Sequence, residues 1–137
     1  LPLISCTACH AVDGVKGVAT TVKGPNLTAV AAGLPVDLLV ESVLWPARQI
    51  KEGYEANTVV TKDGRVLSGF MHSEGKTVLR IRDLATGKIA PVQINNIQQR
   101  TKGGTVMPPG LTASLTRAEL RDLIKYLSTL KTTEVTN

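Results

Sequence analysis

Two cysteines and a histidine stand within five positions of one another, as Cys6, Cys9 and His10 in the run CTACH. Thiols three residues apart share one face of a helical turn. Both can then reach substituents on one edge of a flat macrocycle, and the next residue can turn an imidazole beneath it. Cys-x-x-Cys-His therefore reads as attachment of one c-type haem, with thioethers from Cys6 and Cys9 and an axial iron ligand from His10. A changed spacing would break that simultaneous reach. Other chemistries ask for more than the chain offers. A redox dithiol of the thioredoxin kind belongs in a βαβ context, which the surrounding pattern lacks. A structural zinc ion needs four ligands, and beyond the motif the chain holds His72 and no further cysteine. A disulfide across so short a loop adds little stability.

A second axial ligand has three candidates by residue type, Met71, His72 and Met107. Met107 lies in GGTVMPPGL, where Pro108 and Pro109 stiffen the chain and Gly103, Gly104 and Gly110 let backbone pass close to a flat group. The reading is that this rigid loop aims a thioether at the iron, with a loop-anchoring side chain as the plain alternative. Met71 and His72 fall in a strand pattern, where they read as ordinary sheet residues. His72 would give a bis-histidine iron instead. Thioether ligation raises the reduction potential relative to two imidazoles. A six-coordinate iron reorganises little when an electron moves, so the site points to a carrier and away from an enzyme. A peroxidase would need an open distal side with an acid–base group. A haem-based sensor or gas-binding module is the alternative, and requires a labile sixth ligand.

Three regions must position these residues. Residues 1–53 open with the motif on a predicted short helical turn. Glycines and Pro25 make 13–27 a loop. A helix is predicted over 35–45, with Pro35 at its first position, Asp37 in its first turn and Pro46 at its stop. Residues 55–99 change period. Asp63-Gly64 between two β-rich runs is a hairpin signal, TVLRIRD alternates, and KIAPVQI carries Pro91, which confines it to a sheet edge. The expectation is an antiparallel meander of four or five strands. Helix returns over 116–130, where Thr116 and Glu119 form a capping box and Leu120, Leu123, Ile124, Leu127 and Leu130 make an apolar stripe. The polar tail after it is expected to fray.

Composition sets the frame. The chain has 137 residues, 42% apolar and 20% charged, as in an ordinary globular domain. Aromatics are 3%: Trp45, Tyr54, Phe70 and Tyr126. A buried porphyrin would supply flat apolar surface that aromatic side chains otherwise give. The net charge of +5 comes from scattered Lys and Arg with no polybasic run, so nucleic acid is not an expected partner. An acidic protein partner is compatible with it. No apolar run reaches the roughly 18 residues of a membrane span. The numbering opens on Leu1 without Met, so a leader has been removed or the chain is a piece of a longer one. Haem attachment to thiols places the domain in the periplasm or otherwise outside the cytoplasm.

CTACH, GPNL at 24–27, the Met107 loop and the closing LIKYLSTL together resemble a class I c-type cytochrome. The segments GPNLTAVAAGLPVDLLVESVLWPARQI, GYEANTVVTKDGRVLSGF and VMPPGLTASLTRAELRDLIKYL resemble one branch more closely, the planctomycete and verrucomicrobial-type haem-binding domain. The resemblance implies a mostly α cytochrome c fold with a small inserted antiparallel sheet, α+β overall. It implies one cytochrome c domain over 1–137 with 55–99 as the β-rich insertion. It also implies that the Pro25 carbonyl accepts the ring N–H of His10, that Leu27 packs on the haem face, and that Met107 is the distal ligand. Trp45, Arg48 and Tyr54 are candidates for propionate contacts by chemistry. The implied role is electron transfer, as a relay for a redox protein or a parent dehydrogenase. Only LPLIS precedes Cys6, where the family carries an N-terminal helix that packs on the last one. An insertion between His10 and Met107 is tolerated when its ends lie close. It would shield a haem edge, dock a partner through a strand edge, or exchange strands to make a dimer. The oligomeric state stays open.

Overall fold

The computed structural model describes residues 6–16 and 23–131. The chain divides into two compact units. One is built from residues up to Gln49 and from Met107 onward; the other is Ile50–Val106.

In the first unit the motif forms a short 3-10 turn, Cys6–Ala8. Three helices follow, α1 (Val30–Gly33), α2 (Val36–Leu44) and α3 (Arg117–Ser128). Pro35 precedes α2 as its N-cap residue, and Asp37 lies in its first turn, where a carboxylate complements the helix dipole. The Thr116 hydroxyl accepts the Glu119 N–H while the Glu119 carboxylate accepts the Thr116 N–H. That reciprocal box satisfies two of the donors every helix start leaves unpaired. The apolar faces meet in a small core of Leu39, Leu123 and Leu127, joined by Leu27, Val30, Leu34, Val43 and Tyr126. The Leu130 carbonyl accepts the Ala31 N–H at 2.8 Å, tying α1 to the end of α3.

The second unit is a five-stranded antiparallel sheet: β1 (Ala56–Thr61), β2 (Val66–Glu74), β3 (Val78–Asp83), β4 (Ile89–Gln93) and β5 (Ile97–Lys102). The spatial order is β4-β3-β2-β1-β5, a meander whose last strand returns beside the first. Alternation buries Val59, Leu67, Leu79, Ile81 and Val92 on one face, with Met71, Ala90, Ile94 and Ile97 against them. No α-helix of this unit covers that face; a 3-10 turn, Ile94–Asn96, adds Ile94, and every other member of the cluster comes from the strands. The sheet therefore curls over its own core. Register irregularities at Val60/Thr61 and Met71/Ser73 supply the bend. Arg100 on β5 reaches Glu74 at the far end of β2 with 2.7 Å and 3.2 Å bonds. In a flat sheet the intervening β1 and seven residues of strand length would keep them apart. The start and end of the unit also meet: Ala56 donates to the Gly104 carbonyl and accepts from Gly103, both at 3.0 Å.

The expected mostly α fold is corrected. The three helices hold 4, 9 and 12 residues, and the five strands together hold more. Pro35 and Pro46 clip α2 to nine residues, and Gly14, Gly24 and Pro25 keep residues 11–16 and 23–27 in turns and loop. Strand structure runs on to Lys102, where β5 pairs with β1, so the sheet extends beyond residue 99. The expected fraying of 132–137 lies outside the described residues.

Candidate functional site

Cys6 opens the 3-10 turn, and its carbonyl accepts the Cys9 N–H at 3.1 Å and the His10 N–H at 2.8 Å. This wrap brings both thiols and the imidazole out of one tight turn. Both cysteines are free thiols and half-buried. Burial pushes the Cys6 thiol up from its ordinary range; its own backbone N–H offsets part of that, and nearby Cys9 adds to it. A protonated, half-buried thiol is a poor redox nucleophile. Among the described residues no three His, Cys, Asp or Glu side chains converge as a metal cage.

The segment 23–28 grips this turn from both sides of His10. Lys23 donates to the Cys9 carbonyl and Leu27 to the Ala11 carbonyl, each at 2.9 Å. Between those two ties the Pro25 carbonyl lies 2.7 Å from His10 Nδ1. A carbonyl only accepts, so Nδ1 carries the proton and Nε2 keeps its lone pair. Gly24 is buried against the same ring. A Cβ at this position would stand 2.5 Å from His10 Cε1 and 2.8 Å from Nδ1. Only a residue without a side chain lets the imidazole lie there. Asn26 and Thr28 finish the grip: the Asn26 side-chain oxygen accepts both the N–H and the hydroxyl of Thr28, and the Thr28 hydroxyl accepts the Asp13 N–H at 2.9 Å.

The remaining sequence candidates are placed as follows. Leu27 joins the apolar cluster that includes Cys6. Trp45 caps the end of α2 and is half exposed, with the Arg48 guanidinium 4.5 Å above its ring. Arg48 also approaches Glu41 at 4.0 Å. Met107 is half-buried and belongs to the unit that holds His10. Tyr54 belongs to the sheet unit, edge-on to Phe70 with ring centroids 5.1 Å apart. Met71 packs against the sheet core, and His72 is exposed on β2. Gly24, Asn26 and Thr28 escaped the sequence reading of functional residues. The signal for the last two was an Asn two places before a Thr, the spacing of an Asx turn; for Gly24 it was a glycine directly before the proline that faces the imidazole.

The donor set fits a covalent haem. Two free thiols and an oriented imidazole leave one turn, and apolar side chains of the same unit stand beside it. Such a donor set suits a protein to which an iron porphyrin is joined covalently through two thiols. The sequence matches the cytochrome c family over residues 4–131, and the chain belongs to that family. No curated protein sequence matches it. Members hold haem c covalently and move electrons with it, and Cys6 and Cys9 carry the attachment spacing here.

Proposed function

We propose that this chain is a single-haem electron carrier with His10 and Met107 as its two axial ligands, serving a redox protein partner outside the cytoplasm. The observation that carries the reading is the His10–Pro25 contact of 2.7 Å beside two free thiols. Bound haem supplies an Fe(III)/Fe(II) couple that accepts and releases one electron. The chain's own residues do the rest. Cys6 and Cys9 fix the macrocycle, so it cannot dissociate during turnover. The Pro25 carbonyl locks the imidazole tautomer and raises its basicity. Leu27 lends an apolar wall. Met107, flanked by two prolines, offers a thioether, which favours the reduced iron and raises the potential. Trp45 and Arg48 are the proposed partners of the propionates, the guanidinium already held over the indole. Location in the periplasm accords with the thiol chemistry. No helix among the described residues is long and apolar enough to cross a membrane. A branch of planctomycete and verrucomicrobial type, and a role as relay for a parent dehydrogenase, follow from the sequence resemblance.

The test is the visible spectrum of the purified protein, oxidised and reduced, for the wild type and Met107→Ala. The wild type should show low-spin haem c with the weak far-red band of methionine-ligated ferric iron. The variant should lose that band, bind CO when reduced and drop in potential. Ready CO binding by the reduced wild type, with a Met107→Ala spectrum unchanged, would replace the carrier by a sensor or gas-binding module.

A further inference from the structure

The positive charge of this chain is not shared evenly. Residues 50–106 carry nine Lys and Arg against five Asp and Glu, a net +4 of the chain's +5. The haem-bearing unit is close to neutral before two propionates are added. Within the sheet two of these basic residues share one exposed face. Arg80 and Arg82 lie two apart on β3 and so share a face, roughly 7 Å from each other. On β4 their register partners are Pro91 and Ile89, with Gln93 next in line. All five side chains are exposed, Ile89 to 40%. On β2 the partners of these arginines are Ser73 and Phe70, neither of them acidic.

Nearby carboxylates are already engaged. Glu74 holds Arg100, and Asp63 lies against Arg65. Asp83 alternates to the other face and accepts from Ala85 and Thr86 in its own turn. Arg80 and Arg82 have no ion-pair partner among the described residues. Two unpaired guanidiniums beside exposed Ile89, Pro91 and Gln93 combine a charged fork, an apolar strip and an amide. Arginine with apolar neighbours is what the core of a protein–protein contact uses, and its planar fork matches a carboxylate pair. Nucleic acid fits less well. It would ask for stacking surfaces, and Tyr54 and Phe70 are spent on each other. A membrane surface would ask for an amphipathic helix, which this unit lacks.

We propose that the β3–β4 face centred on Arg80 and Arg82 docks the acidic surface of a redox partner protein, while the other unit carries the haem. This assignment rests on the electron-transfer reading and gives it a division of labour. Charge on such a face acts mainly on encounter, raising the association rate and its salt sensitivity.

The experiment uses the haem-loaded full chain, an acidic flavodoxin labelled with fluorescein as the probe, and fluorescence anisotropy at low and high salt. Arg80→Glu with Arg82→Glu should weaken docking about tenfold at low salt. Arg117→Glu with Arg121→Glu, exposed on α3, makes the same charge change on the other unit and should alter docking less than about twofold. Arg80→Gln with Arg82→Gln is the milder pair and should fall between. Equal loss in both Glu pairs, or no loss in either, overturns the docking face. So does Arg80- and Arg82-dependent binding to phosphatidylglycerol vesicles or a DNA oligonucleotide without flavodoxin binding. Reduction of the haem by hexaammineruthenium(II) is measured alongside. Its failure would sink the electron-transfer reading, while the anisotropy still decides the docking face.

Discussion

Replacing Gly24 by alanine tests the site's geometry at its tightest point. The added Cβ would stand 2.5 Å from Cε1, 2.8 Å from Nδ1 and 3.1 Å from Nε2 of His10. Ordinary carbon contacts lie near 3.5–4.0 Å, so the imidazole must retreat by about 1 Å or the 23–28 segment must lift. Neither move is free. The segment is tied at Lys23 and Leu27, and the ring is bonded to Pro25 at 2.7 Å. Overpacking of this kind costs about 1–3 kcal/mol, and loss of the ring's hydrogen bond about 0.5–1.5 kcal/mol more. The sum is roughly 1.5–4.5 kcal/mol. Gly33→Ala is the control. Nothing lies within 4 Å of its Cβ position, and a helical glycine gains about 0.5–1 kcal/mol on becoming alanine. The assay is urea unfolding of the haem-loaded protein, paired with its midpoint potential and the electron paramagnetic resonance of the ferric form. Gly24→Ala should lose stability and shift both iron signals, and Gly33→Ala should do neither. A Gly24→Ala protein with unchanged unfolding, potential and resonance would refute the packing argument and, with it, the assigned position of the imidazole.

Thr28→Val removes a buried residue's hydroxyl that both donates to Asn26 and accepts from Asp13, and leaves the part-buried Asp13 N–H without its acceptor. Chemical denaturation should show a loss of about 1–3 kcal/mol, far more than at an exposed threonine. Ile81→Ala empties a fully buried site in the sheet core and should cost about 2–5 kcal/mol by the same method. The Thr116 N–H holds the Glu119 carboxyl below the usual carboxylate range. A depressed carboxyl stabilises the fold above its unfolded value, near pH 4.5, and that contribution fades as pH falls through the folded value. Thermal melts of the wild type should therefore lose a small increment in acid that Glu119→Gln does not show. Equal acid sensitivity in the two proteins would remove Glu119 from the account.

Much of the site was readable in the chain because its logic is local. CTACH forms one turn, and local spacing determines what one turn presents. The capping box at Thr116 and Glu119 and the Asp63-Gly64 hairpin follow for the same reason. α2 ends within a residue of its expected limits because Pro35 and Pro46 bracket it. What escaped is non-local. Nothing in the spelling of GPNLT says that a glycine fourteen positions after His10 lies on its ring. Nor does alternation along one strand reveal that the sheet rolls up until Arg100 meets Glu74. The balance of helix and strand was misjudged for a related reason: IQQRTK, with one apolar residue, has little strand signal of its own and is ordered by pairing with β1. The placement of Met107 in the unit of His10 is likewise a long-range outcome.

The hydrogen bonds between Ala56 and the Gly103–Gly104 pair have a consequence for the long span between residues 10 and 107. Once the sheet has formed, its two chain ends are pinned together, and the rolled strands contribute no slack. The tether that must be cinched to gather the haem-bearing unit is then roughly half its nominal length, an entropic saving of about 0.6 kcal/mol. Gathering is easiest when the sheet forms first, so a lesion in its interior such as Ile81→Ala should slow assembly of a region it never touches in sequence.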